Sequence, residues 1–177
     1  MGRSASHIAL ECALQTQPNV CLVSEEVEAK EMSLDDVVTY IAKVVADRAA
    51  DGNNFGTVLI PEGLIEFIPA IKKLIAELNE VLTDPATGES REFANAEEQI
   101  DFVKSSIAKD NLAILESLPE DVARQLCLDR DPHGNVQVSL IETEKLLSRM
   151  VEKKLEAWKE EGKYNGNFSA QHHFFGY

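Results

Sequence analysis

The spacing of apolar residues divides the chain near residue 63. Before that point two short apolar runs, NVCLVSEE (19–26) and GTVLIPEG (56–63), are bounded by polar residues or glycine, which is typical of strands. Between them a run of apolar residues at helical spacing follows Ser33 and Asp36, whose separation is that of a capping box. Strand, helix and strand of this length predict a βαβ unit with two parallel strands.

From residue 64 to residue 162 the apolar positions follow a helical period in five segments. The first, LIEFIPAIKKLIAELNEVL (64–82), carries one apolar stripe. Because proline is tolerated in the first turn of a helix, Pro69 predicts a helix that begins near Glu66.

The last helical segment has the clearest boundaries. Ser139 and Glu142 have the spacing of a start signal, and Gly162 marks the end. Trp158 lies on the apolar stripe of this helix, so we expect its side chain to be substantially buried. The residues that follow, 163–177, are rich in aromatic residues and glycine and show no period.

These patterns predict a helix-rich α/β fold with a small parallel βαβ portion. We expect a partial α/β domain over residues 1–63, a helical subdomain over 64–162 and an irregular return segment over 163–177. A helical stripe must be buried against another apolar surface, and two short strands offer little of it. The helices of the subdomain are therefore expected to pack largely on one another.

Charge and composition exclude several classes of function. The chain has 31 acidic and 17 basic residues and a formal net charge of -14, which disfavours nucleic acid and anionic membrane surfaces as partners. No apolar run approaches the roughly 20 residues of a membrane span, and the first residues lack the pattern of a secretory signal. We expect a cytoplasmic protein.

Cysteine and histidine offer no metal site by spacing. Cys12, Cys21 and Cys127 are odd in number and far apart among apolar neighbours, so we expect reduced, buried thiols without a chemical role. His172 and His173 are adjacent, and in an extended segment adjacent side chains point to opposite sides, so a metal pair is rejected.

Two charged residues lie where ligands commonly bind. Arg3 precedes a predicted helix whose Ser4 and Ser6 are good caps, and a helix N-terminus can bind an anion. A solvated arginine is the alternative. Glu62 follows an apolar strand at the carboxyl end of a parallel sheet, where its carboxylate can accept hydrogen bonds from sugar hydroxyls. Its alternative role is to favour the start of the next helix.

Three landmarks in order carry a resemblance to a known family. MGRSASHIALECALQTQPN, then VLIPEG and finally FFGY resemble the long form of the pyrophosphate-dependent phosphofructokinases, over the whole chain. The resemblance implies that the substrate-site residues, which contact fructose 6-phosphate, are Met1, Gly2, Arg3, Glu62 and Tyr177. It also implies that the helical stretch is an insertion in a phosphofructokinase fold.

The resemblance further implies a reaction and its requirements. A glycolytic parent enzyme would transfer a phosphoryl group reversibly from pyrophosphate to the 1-hydroxyl of fructose 6-phosphate, with magnesium, as a homo-oligomer. The chain resembles a piece cut at a Met-Gly-Arg motif and ended within a Tyr-Glu-Gly-Arg motif. The family's segment with the catalytic aspartate is absent, so we expect no catalytic residue here and no activity of this chain alone.

Two alternatives stay open. In the first, the parent enzyme uses ATP as donor or is a regulatory subunit of the same family. The second alternative is a helical interaction module without a substrate role, in which Arg3 and Glu62 are incidental.

Overall fold

Helices dominate the structure, and the described residues contain one two-stranded parallel sheet. The computed structural model describes residues 6–83, 91, 93–130, 134–138 and 141–173. The elements in chain order are α1 (His7–Thr16), β1 (Val20–Cys21), α2 (Ser24–Ala29), α3 (Leu34–Ala50), β2 (Val58–Leu59), a 3₁₀-helix (Leu64–Phe67), α4 (Pro69–Leu82), α5 (Ala96–Ser106), α6 (Lys109–Ser117), α7 (Glu120–Leu128) and α8 (Thr143–Glu160). The predicted helix-rich α/β class is confirmed.

The two strands pair in parallel, as the apolar runs predict. Val20 lies opposite Val58, and the Leu22 amide donates to the Leu59 carbonyl at 3.0 Å just beyond the paired residues. At the other end the Asn19 side chain accepts a hydrogen bond from the Thr57 amide at 2.8 Å. Both strands are shorter than predicted, and the first run turns into α2.

Helix α3 connects the strands and has the predicted boundaries. The Ser33 hydroxyl accepts from the Asp36 amide at 3.1 Å, and the Asp36 carboxylate accepts from the Ser33 amide at 2.9 Å. The hydrogen bonds from Ser33 lower the pKa of the Asp36 carboxyl. Beyond the other end Gly52 has a φ of 80°, a conformation that favours glycine.

Helix α8 packs against α3. Leu147 and Val151 on its inner face are buried, and Lys154 Nζ donates to both carboxylate oxygens of Asp35 at 2.7 and 2.8 Å. Trp158 is mostly buried, as its place on the apolar stripe predicts. The helix begins at Thr143, and Glu142 before it makes no side-chain cap. The predicted start signal is therefore wrong in position, and its Ser139 lies outside the described residues.

The chain forms two compact units. Residues 6–68 and 142–173 are the described part of the first, and residues 69–141 contain the described part of the second. The predicted insertion over 64–162 includes α8, whereas α8 packs within the first unit. The predicted domain boundaries stay a prediction about the family's organisation.

In the second unit, α4 contacts α5, α6 and α7. Pro69 is the first residue of α4, so the helix begins three residues later than predicted, and the residues before it form the separate 3₁₀-helix. The Glu77 carboxylate accepts hydrogen bonds from the Ala108 amide at 2.8 Å and from the Asn111 side chain. The Glu77 carboxylate on α4 therefore pairs with a backbone amide at the N-terminus of α6, which has no partner within its own helix.

Candidate functional site at the carboxyl edge of the sheet

Glu62 lies at the carboxyl end of β2, on a short turn. The Pro61 carbonyl accepts a hydrogen bond from the Leu64 amide at 3.2 Å, and the Gly63 carbonyl accepts from the Glu66 amide at 3.0 Å. Pro61 and Gly63 are buried, whereas Glu62 between them is exposed. The buried flanks fix the backbone, so the Glu62 residue is held at the sheet edge where open α/β folds bind ligands.

The start of α1 reaches the same edge of the sheet. Ser6 is 0% exposed, and its hydroxyl accepts a hydrogen bond from the Ser24 amide at 2.7 Å. Ser24 is the first residue of α2 and the third residue after β1. The chain that follows the Met-Gly-Arg motif is therefore attached beside the carboxyl end of β1.

Glu25 forms a second bond between α2 and the start of α1, and we call the group of Ser6, Ser24 and Glu25 the junction. Its carboxylate accepts a hydrogen bond from the Ser6 amide at 3.0 Å, and this bond, more than the nearby charge of His7, lowers the pKa of the Glu25 carboxyl. Ser6 makes no side-chain cap on its own helix, so its predicted capping role is wrong. A carboxylate already satisfies this amide at the start of α1, which disfavours an anion there.

The Ser24 hydroxyl completes this junction. Its oxygen is buried and has no hydrogen-bond partner in the structure described here. The junction therefore contains two bonded side chains, Ser6 and Glu25, and one buried hydroxyl that is unpaired among the described residues.

The structure places one of the five predicted substrate-site residues. Met1, Gly2, Arg3 and Tyr177 lie outside the described residues, and Glu62 lies within them. Whether these five residues surround one cleft stays a prediction.

Curated proteins match the chain from end to end. A protein of Porphyromonas gingivalis named pyrophosphate–fructose 6-phosphate 1-phosphotransferase is 60% identical over all 177 residues, which are 32% of its length. The beta subunit of that name from Solanum tuberosum is 52% identical over 29% of its length. The protein of that name from Treponema pallidum (strain Nichols) is 51% identical over 31% of its length. The chain belongs to the pyrophosphate-dependent phosphofructokinase family. No family model matches it.

The chain spans about a third of the length of these phosphofructokinase relatives. About two thirds of each relative therefore lies outside the matched span. The similarity covers the Met-Gly-Arg and Pro-Glu-Gly landmarks together, because it extends over every residue of this chain.

The cysteines of this phosphofructokinase segment differ in burial. All three are free. Cys127 is buried, and burial raises the pKa of its thiol. Cys21 is half-buried and its thiol donates to the Ala9 carbonyl at 3.9 Å. Cys12 is exposed on α1, so the prediction of three buried thiols is wrong for this residue. Helix α1 has no buried residue, which explains the difference.

The described part of this phosphofructokinase segment contains no cluster of three or more histidine, cysteine or acidic residues suited to a metal ion. His7, His172 and His173 are exposed. None of the described helices is long and apolar enough to cross a membrane.

Proposed function

We propose that this chain contributes part of the fructose 6-phosphate site of a pyrophosphate-dependent phosphofructokinase. The complete enzyme would transfer a phosphoryl group reversibly between pyrophosphate and the 1-hydroxyl of fructose 6-phosphate. The similarity to proteins named for this reaction, over the whole chain, is the observation that carries the proposal. These names also favour pyrophosphate over ATP as the donor.

Glu62 supports the proposal by its position. Its residue is exposed at the carboxyl edge of the sheet between two buried neighbours. A carboxylate there can accept hydrogen bonds from the hydroxyls of a sugar phosphate. The same residue on a buried face would be unable to meet a ligand.

Arg3 and Tyr177 enter the proposal through the resemblance. Phosphoryl transfer depends on positioning and on neutralising charge over the phosphoryl oxygens, and an arginine supplies that charge. The net charge of -14 is compatible with this role, because charges beyond a Debye length of about 8–10 Å are largely screened.

Magnesium, oligomeric assembly and a cytoplasmic location remain part of the proposal. The described residues do not form a cluster that fits a magnesium ion, so we derive no step through the metal and propose that other segments of the enzyme bind it. Several relatives are named as subunits, among them the one from Solanum tuberosum, which supports an assembly in general.

Replacing Glu62 in the complete enzyme tests the proposed site. Glu62→Ala removes a charged hydrogen-bonding group, so we expect kcat/KM for fructose 6-phosphate to fall roughly tenfold to a hundredfold. Arg3→Ala should give a loss in the same range. The measurement is the steady-state rate with pyrophosphate as donor.

Glu66→Ala is the matched control. Glu66 is exposed in the 3₁₀-helix, four residues after Glu62, and we expect its replacement to change kcat/KM less than twofold. Equal kinetics for Glu62→Ala and Glu66→Ala would remove Glu62 from the site. A complete enzyme without pyrophosphate-dependent activity would overturn the proposed function.

A further inference from the structure

We infer that Ser6 and Glu25 are positioning residues, which hold the start of α1, three residues after Arg3 in the sequence, beside the carboxyl end of β1. Neither belongs to the predicted substrate contacts. The inference deepens the proposed function and rests on it, since positioning matters only where Arg3 meets a substrate.

The hydrogen bonds give Ser6 little freedom. Its amide donates to the Glu25 carboxylate at 3.0 Å, its hydroxyl accepts from the Ser24 amide at 2.7 Å, and its carbonyl accepts from the Leu10 amide at 2.9 Å. The residue is 0% exposed. Two bonds join it to α2 and the third begins α1, so the orientation of the chain at Ser6 is fixed on both sides.

Arg3 is three residues before this fixed point. Three residues of peptide span at most roughly 11 Å, so the position of Ser6 limits how far the backbone of Arg3 can move. A substrate-binding group that is misplaced by about 1 Å loses a large part of its effect on the reaction. Fixing Ser6 therefore limits the range of positions open to Arg3.

Helix α2 connects this point to Glu62. Besides supplying Ser24 and Glu25, α2 contacts the 3₁₀-helix Leu64–Phe67, which begins two residues after Glu62. Val27 on the inner side of α2 is 3% exposed, and Leu64 and Ile65 of the 3₁₀-helix are 0% and 1% exposed. One six-residue helix thus adjoins both chain segments that carry predicted substrate contacts.

Glu25 is distinguished from its neighbour by these contacts. Glu26 is exposed and forms an ion pair with Lys30, the residue that follows α2. Glu25 instead accepts a bond from a residue 19 positions earlier. Glu25 and Glu26 carry the same charge and lie on the same helix, and only Glu25 accepts the bond from Ser6.

The test compares variants of the complete enzyme. Glu25→Ala removes the acceptor, and we expect the KM for fructose 6-phosphate to rise about tenfold. Glu25→Gln keeps an accepting oxygen, so it should recover most of the loss. Glu26→Ala, the matched control, should leave the KM within twofold of wild type. Thermal unfolding of each variant is recorded in parallel.

The outcomes separate positioning from stability. A purely structural role would lower the unfolding temperature of Glu25→Ala and leave its KM unchanged, which would overturn the inference. Equal KM values for Glu25→Ala and Glu26→Ala in an active enzyme would overturn it alone. If Glu25→Ala does not fold, Ser6→Ala is decisive, because it removes the hydroxyl that accepts from the Ser24 amide. A raised KM with a normal unfolding temperature supports positioning, and a KM equal to that of Glu26→Ala overturns it. An inactive wild-type enzyme would overturn the inference together with the proposed function.

Discussion

Gly166 lies against the ring of Tyr164 in the segment after α8. A Cβ atom placed on Gly166 would lie 2.6 Å from Tyr164 Cζ and closer still to the hydroxyl. Tyr164 is 5% exposed, and burial raises the pKa of its hydroxyl. The ring cannot move aside without losing its packing, so this glycine is required by space and not by backbone conformation.

Gly166→Ala is therefore expected to destabilise the chain. Overpacking of a buried site costs about 1–3 kcal/mol in the free energy of unfolding. Urea denaturation of the 177-residue chain measures it, with Ser169→Ala at an exposed position of the same segment as the control. A midpoint for Gly166→Ala equal to that of the control would show that the ring yields freely.

At the residue scale, the place of Glu62 at the sheet edge is predictable from the sequence, and the bond between Ser6 and Glu25 is not. A proline and a glycine around an acidic residue after an apolar run fix Glu62 by local signals alone. The bond from Ser6 to Glu25 joins residues 19 positions apart, and no spacing rule predicts such a pair. Ser24 followed by Glu25 and Glu26 is typical of the first turn of a helix. This pattern indicates α2, and it does not indicate the bond to Ser6.

At the scale of elements, α3 depends on its first turn. The reciprocal bonds of Ser33 and Asp36 satisfy two amides that the helix cannot pair internally. Asp35 in the same turn binds Lys154 of α8. The start of α3 is therefore both capped and attached to the helix that packs on it.

Ser33→Ala should destabilise the chain by about 1 kcal/mol. The variant loses the hydroxyl that accepts from the Asp36 amide. The same hydroxyl donates to the Asp36 carboxylate at 2.6 Å, so the lowered pKa of Asp36 should also return toward its ordinary value. Chemical denaturation gives the stability, and Ser105→Ala within α5 serves as the comparison because its hydroxyl caps no helix start. A Ser33→Ala midpoint within error of the Ser105→Ala midpoint would contradict the capping argument.

Helix boundaries were predictable where local bonds set them. Ser33 and Gly52 mark α3 by hydrogen bonds and conformation within a few residues. Helix α8 begins at Thr143 without a side-chain cap, because its burial against α3 stabilises it in place of a local signal. A sequence window does not contain that partner, which lies about a hundred residues earlier.

At the scale of the whole chain, two units each bury their own apolar residues. Leu147 and Leu155 are buried in the first unit, and Leu74 and Leu78 in the second. The apolar stripes were evident from the sequence. Their assignment to units was not, since every stripe of this kind is compatible with several partners.

We predict that the 177-residue chain alone shows no phosphofructokinase turnover. Binding residues without a catalytic base leave most of the barrier to phosphoryl transfer in place, and the resemblance assigns that base to a segment absent from this chain. A coupled assay for fructose 1,6-bisphosphate, with pyrophosphate and with ATP, checks this beside the complete enzyme. Product above background with either donor would refute it.

The pairing of α3 with α8 also sets an order of events during synthesis. The first unit needs residues on both sides of the second unit, so it lacks α8 until about ninety further residues have been translated after Ile68. At about 5–20 residues per second, that delay is roughly 5–20 s. The second unit is contiguous in sequence and is complete before α8 leaves the ribosome. During that interval the face of α3 that α8 later covers is exposed. A chaperone that binds apolar helices can bind this face until α8 is made.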